Sequence, residues 1–205
     1  MKIHKIDQGT PEWHEVRKLK MTASNATAIG NCGAGLKTYI KEIILNAIAE
    51  KEHYSNSDIE RGHELEPIAR SMYEFEKGVE IKEVGFIEFN EYVGYSPDGL
   101  VNEDGLVEIK ARNNSKHLDI ILSNEAESSV IWQMNMGMYV SERDWCDFIS
   151  FNPNFKKSLF VKRYYRDSEK IEAIKKGLEL GEKMIKEYLK NPIIKYEIDK
   201  NSFNN

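Results

Sequence analysis

An aspartate after a proline turn, Asp98, and a glutamate and lysine two apart, Glu108 and Lys110, could do chemistry together. The local order is Ser96-Pro97-Asp98-Gly99-Leu100, then Glu108-Ile109-Lys110. Side chains alternate along a strand, so Glu108 and Lys110 share one face and Ile109 takes the other. Asn102 to Gly105, with an Asp-Gly pair between apolar runs, predicts a hairpin turn. That turn sets Asp98 and Glu108 on neighbouring strands, where cross-strand and diagonal neighbours lie roughly 5–8 Å apart. Two carboxylates at that spacing can share a divalent cation. A lysine beside the cation can hold or polarise a water. These are the parts for metal-assisted hydrolysis of a phosphodiester.

A second group of residues suits an anion. Thr22 and Ser24 fall at a predicted helix N-terminus, where free N–H groups and the helix dipole favour negative charge. Arg17 can make a two-pronged bond to phosphate. Ser96 lies two residues before Asp98, so a phosphate pocket here adjoins the carboxylates.

The surrounding chain reads as a frame for these two groups. Pro11 to Lys20 predicts a short helix with Thr10 as N-cap and Pro11 at its first position. Helices follow over Thr22–Ile29, Lys37–Glu50 and Asp58–Lys77, the last in spite of Pro67. Val79 to Phe89, Tyr92 to Tyr95, Gly99 to Val101 and Leu106 to Lys110 have strand character. Lys116–Ser123 and Ser128–Val140 read as helices, Trp145–Phe151 and Leu159–Tyr165 as strands, and Ser168–Lys190 as a long amphipathic helix. Residues 192–205 read as a polar, mobile tail. The sum is one mixed α/β domain over residues 1–205, a central mixed sheet flanked by helices.

Composition excludes several alternatives. The 205 residues carry a net charge of −5, so nucleic-acid binding needs a local basic strip rather than a basic protein. Lysines and arginines do cluster at Arg17-Lys18-Leu19-Lys20, Lys156-Lys157 and Lys162-Arg163 with Arg166. Cys32 and Cys146 stand far apart, which argues against a zinc ribbon, an iron–sulfur cluster or a disulfide framework. The five histidines show no metal spacing. Gly30 to Thr38 imitates a phosphate-binding loop, but Leu36 separates the glycine from Lys37 and no apolar strand precedes it. The first residues lack an apolar signal core and no run is long enough for a membrane, so a cytoplasmic protein is expected.

Pro97-Asp98 followed by Glu108-x-Lys110 resembles the PD-(D/E)xK nuclease signature, which implies a restriction-endonuclease-like core. The form Ser96-Pro97-Asp98-Gly99-Leu100 is similar to that of the lambda exonuclease and YqaJ-like viral recombinase family. So are Trp13-His14-Glu15-Val16-Arg17, Met21-Thr22-Ala23-Ser24, Gly62-x-x-x-Glu66, and Trp132-Gln133 through Met138-Tyr139-Val140. Order and spacing agree from about residue 11 to 166.

The resemblance implies that Asp98 and Glu108 bind Mg²⁺, or Mn²⁺, with the Ile109 carbonyl. Glu66 would complete a second cation position, and Lys110 would orient or activate the attacking water. Arg17, Thr22, Ser24 and Ser96 match a pocket for a 5′-terminal phosphate. In one respect the chain departs from the family, where Gln is often followed four residues later by Tyr. Tyr139 has Asn135 at that distance, while Gln133 lies on a different helix face. The implied activity is 5′-to-3′ digestion of double-stranded DNA ends to 5′-mononucleotides, leaving 3′ single-stranded overhangs. The implied partners are two further copies in a ring-shaped homotrimer and a single-strand annealing protein. A structure-specific or restriction-type endonuclease, or a non-catalytic DNA-binding protein, are the alternatives on the same fold.

Overall fold

The computed structural model describes residues 1–49 and 57–202. In chain order the elements are β1 (Lys2–His4), α1 (Pro11–Arg17), β2 (Met21–Thr22), a 3₁₀ turn (Ala23–Asn25), α2 (Ala26–Asn31), α3 (Ala34–Ile48) and α4 (Ser57–Lys77). Next come β3 (Ile81–Lys82), β4 (Phe86–Asn90), β5 (Val93–Tyr95), β6 (Gly99–Val101) and β7 (Gly105–Ala111). The chain ends with α5 (Asn114–Ser123), α6 (Ser128–Ser141), β8 (Trp145–Phe151), β9 (Leu159–Tyr165), α7 (Ser168–Leu189) and α8 (Pro192–Ser202). Glu50, the predicted end of the third helix, lies outside the described residues.

The strands form two sheets rather than one. The first has the order β1-β4-β5-β2, and the second has the order β3-β6-β7-β8-β9. Each is mixed: β2 runs parallel to β5, and β7 runs parallel to β8, while the other pairs are antiparallel. The parallel β7–β8 pair is connected through α5 and α6, the crossover that parallel strands require.

The chain passes from the first sheet to the second between β5 and β6, through Ser96-Pro97-Asp98. Pro97 is held there by its carbonyl, which accepts from Gln8 Nε2 at 2.9 Å. The residues with the clearest chemistry thus sit at the junction of the sheets.

β7 is buried on both faces. Leu106 joins the larger core with Phe148, Met134 and Met136, whereas Val107 and Ile109 join a smaller core with Ala69 and Tyr73 of α4. The predicted period-two alternation is therefore present, with helices covering both sides.

Three expectations need correction. The strand predicted over Val79–Phe89 breaks, sending β3 and β4 to different sheets. Gly85 lies in the break, where a Cβ would run into the Ile6 carbonyl oxygen. The helix predicted from Thr22 starts later, because Met21 and Thr22 pair with Val93 and Gly94 of β5 and are drawn into extended backbone. The predicted polar tail is helical over Pro192–Ser202, and buries Ile198 as it packs on α3 and α7. Its last residues, 203–205, lie outside the described residues.

Candidate active site

The β6–β7 hairpin holds the acidic pair by register. Gly99 faces Val107, so Asp98 and Glu108 occupy the next positions along the two strands. The Ile109 N–H donates to Asp98 Oδ2 at 2.7 Å, tying the aspartate to β7. The N–H and C=O of one strand residue project to the same side, so the Ile109 carbonyl also faces the Asp98 side. Asn102 takes a left-handed conformation at φ 49° in the three-residue turn, a role that asparagine tolerates. Gly105 has a different use from the one its sequence suggests. It opens β7, and a side chain there would strike the Trp145 indole. Arg143 clamps the turn from the loop after α6, donating to the carbonyls of Val101, Asn102 and Gly105 at 3.1, 3.0 and 2.7 Å.

Glu108 is fully buried. Its Oε1 pairs with Lys110 Nζ at 2.5 Å and accepts from Gln133 Nε2 at 2.7 Å. Its Oε2 is buried with no hydrogen-bond partner among the described residues. Burial pushes the Glu108 carboxyl up to about 7; Lys110 opposes the rise, and the Asp98 charge adds to it. Burial alone would lower the Lys110 pKa, but Glu108 and Asp98 hold it above the ordinary lysine value. Lys110 is therefore a cation here, suited to holding a water or a phosphate oxygen.

Glu66 comes from α4, which packs on β7. Its carboxyl is pushed up to about 7 by burial and by Asp98, against the opposing pull of Arg70 and Lys110. Arg70 bonds Glu66 at 2.7 Å, Glu83 at 2.7 Å and the Asp98 carbonyl at 3.1 Å. This arginine ties α4 to the turn at Asp98.

Among the described residues, no three His, Cys, Asp or Glu side chains are gathered closely enough to hold a metal ion. The Arg70 pair keeps Glu66 occupied. The set that fits a hard divalent cation is Asp98, Glu108 and the Ile109 carbonyl, all oxygen donors. The unpartnered Glu108 Oε2 is the observation that supports this fit, since a buried carboxylate oxygen without a partner is costly.

The anion pocket is partly assembled. Arg17 Nη1 donates to Ser96 Oγ at 2.8 Å, and its guanidinium lies 4.0 Å over the Trp13 ring. Trp13 Nε1 donates to the same Ser96 Oγ at 3.0 Å. Burial lowers the Arg17 pKa from its usual value. Thr22 Oγ1 and Ser24 Oγ are 3.3 Å apart. The Thr22 N–H donates to the Tyr39 hydroxyl at 2.9 Å, so that one backbone donor is not available to an anion.

Of the three residues named on α6, the structure brings one to the carboxylates. Gln133 reaches Glu108. Asn135 instead accepts from the Asp167 N–H at 2.8 Å and donates to the Ile131 carbonyl at 2.9 Å, a buried structural role. Tyr139 stacks on Phe89 with ring centroids 5.2 Å apart. Trp13 belongs to the quoted motif without a role of its own, and Arg70, Tyr39 and Arg143 lie outside the motifs. The bonds from Trp13 to Ser96, from Arg70 to the Asp98 carbonyl and from Arg143 to the hairpin turn cross long sequence separations, which leave no local pattern to read, whereas the Arg70–Glu66 pair is a local i,i+4 spacing on α4.

The fold is similar to that of phage-type exonucleases. The match to the YqaJ-like viral recombinase domain spans residues 12–144, and the chain belongs to that family. It is similar to the alkaline exonuclease LHK-Exo from Laribacter hongkongensis, with 31% identity and a TM-score of 0.81 over 96% of this chain and 100% of that one. The complex of LHK-Exo with dAMP matches at 32% identity and a TM-score of 0.81, again over 96% of this chain and 100% of that one. A phage related exonuclease from Haemophilus somnus 129PT shares the fold at 17% identity, with a TM-score of 0.65 over 94% of this chain and 99% of that one. No curated protein matches the sequence. Among the described residues, no helix is long and apolar enough to cross a membrane.

Proposed function

We propose that this protein is a Mg²⁺-dependent exonuclease acting on double-stranded DNA ends, from 5′ to 3′, and that the 5′-terminal phosphate is its handle. One observation carries the reading: Arg17 meets Ser96, and Asp98, two residues on, is bonded to the hairpin that bears Glu108 and Lys110. A phosphate held by Arg17 and Ser96 thus lies one short step from the carboxylates. Thr22 and Ser24 add hydroxyl donors to the same pocket.

Asp98, Glu108 and the Ile109 carbonyl would hold Mg²⁺, with Mn²⁺ as a chemically equivalent substitute. Glu66 would serve a second ion on leaving Arg70. A bound cation supplies neutralisation of the phosphodiester charge and a more acidic water. Lys110 keeps a water hydrogen-bonded beside Glu108. Gln133 holds Glu108 Oε1 in place, and the enclosed site excludes bulk solvent from the carboxylate. Binding the terminal phosphate selects the first bond inward, which gives 5′-mononucleotides and a 3′ overhang. The dAMP complex of the Laribacter relative supports a mononucleotide product. The reading extends to a ring-shaped homotrimer working with a single-strand annealing protein in a bacterial cytoplasm, on the strength of the family resemblance.

Digestion of matched linear duplexes with a 5′-phosphate or a 5′-hydroxyl, and of a covalently closed circle, tests the reading. With Mg²⁺ the phosphorylated duplex should release mononucleotides, the hydroxyl duplex should react more slowly, and the circle should survive. Efficient cutting of the circle, or indifference to the phosphate, overturns it.

A further inference from the structure

Tyr95 is 1% exposed, and its hydroxyl has no hydrogen-bond partner among the described residues. It is the last residue of β5, directly before Ser96. Its ring lies against α6 at Gly137. A Cβ at that glycine would stand 2.7 Å from the ring carbon bearing the hydroxyl and 3.0 Å from the hydroxyl oxygen. Gln133 is one helical turn earlier, on the same face, and donates to Glu108 Oε1. The other oxygen of Glu108 also has no hydrogen-bond partner among the described residues. A donor and an acceptor are thus both orphaned against one face of α6.

Burial raises the Tyr95 hydroxyl well above its usual pKa, and the Glu108 charge adds to the rise. The phenol stays protonated and can donate. For packing alone phenylalanine would serve better, because a buried unpaired hydroxyl is a penalty. Gly137 in mid-helix also carries a cost, which clearance for this ring explains.

We propose that the Tyr95 hydroxyl orients Glu108, donating toward Oε2 through one bridging water, with Gly137 kept bare to admit the ring. A water is the smallest group by which two buried polar atoms can satisfy each other. Tyr95 touches neither DNA nor cation in this account. It is a positioning residue, of the kind that holds a ligating carboxylate from behind. The inference rests on the reading of Glu108 as a cation ligand.

Tyr95→Phe removes one oxygen and keeps the packing. The variant should melt as the wild type does. It should lose roughly tenfold in kcat with KM unchanged, and roughly tenfold in Mg²⁺ affinity measured by calorimetry without DNA. In metal-free protein the carboxyl infrared band of Glu108, identified by its loss in Glu108→Gln, should shift. Gly137→Ala, which displaces the ring, should shift the same band. Wild-type kcat and an unmoved band in Tyr95→Phe overturn the inference. Full activity in Glu108→Gln instead sinks the reading of the site itself, and the infrared band still decides whether Tyr95 acts on Glu108.

Discussion

On one side of the Ser96–Asp98 crossover, Arg17 rests over Trp13, with no carboxylate paired to it among the described residues. On the other side, Glu108 and Glu66 are pushed up to about 7 by burial, with the Asp98 charge adding to the rise. The two regions share a few residues of chain and have opposite electrostatic needs. The Arg17 side holds positive charge and hydroxyl donors against aromatic rings, and favours an anion. The hairpin side holds carboxylates in low dielectric, and favours a cation or a proton. A nucleic-acid end with a divalent ion supplies both. The difference supports the proposed division, in which the first side would select and the second would do the chemistry, and variants should separate the two.

The largest effect is expected on the hairpin side. Asp98→Ala and Lys110→Ala should each cut cleavage by on the order of a thousandfold or more while leaving the fold intact by circular dichroism. Near-wild-type turnover in either variant would break the comparison. Arg17→Ala should cost less, on the order of ten- to a hundredfold, the scale of lost charge-assisted hydrogen bonds. That loss should appear on 5′-phosphorylated ends and be nearly absent on 5′-hydroxyl ends, so equal losses on both would erase the distinction.

The third expectation concerns pH in metal-free protein. Glu66 and Glu108 are raised from an ordinary value of 4.5 to about 7, so the folded state binds protons more tightly than the unfolded chain. Their stabilising contribution is complete below about 4.5 and is lost as pH rises through about 7. Melting temperature should therefore fall across that window, and Mg²⁺ should restore it above 7. A melting temperature that climbs with pH there contradicts the account. The smallest effect is expected from Arg143→Ala, about 1–3 kcal/mol by denaturant unfolding, because three carbonyls of the hairpin turn lose their donor. It should lower kcat and leave the preference for 5′-phosphate intact.

Much of the hairpin side was legible because its signals are local. The two-residue spacing of Glu108 and Lys110 fixed their shared face, and the strands at Gly99–Val101, Trp145–Phe151 and Leu159–Tyr165 fall where strand character predicts them. The pocket side was less legible. Thr22 reads in sequence as the start of a helix, but pairing with Gly94 makes it the end of β2 and leaves it as the cap of the 3₁₀ turn that follows. Val79–Phe89 looks continuous until the close approach of Gly85 to Ile6 divides it between sheets. Spacing along α6 favoured Asn135 as the partner of Tyr139, yet Gln133 points to Glu108 and Asn135 caps the start of α7 at Asp167. Which face of α6 meets β7 is decided by packing across the molecule, and no local period records it.

The crossover also sets a stride. Ser96 and Asp98 are two residues apart on one strap, so their Cα atoms stand no more than about 7 Å apart. That span is covalent, and its middle link is anchored by Gln8. On the proposed function, the separation between the grip on a DNA end and the bond that breaks would be a calliper of fixed jaw, indifferent to loop motion. An extra residue spliced beside Pro97 would widen the jaw, and the size of each bite, rather than the appetite for DNA, is what should change.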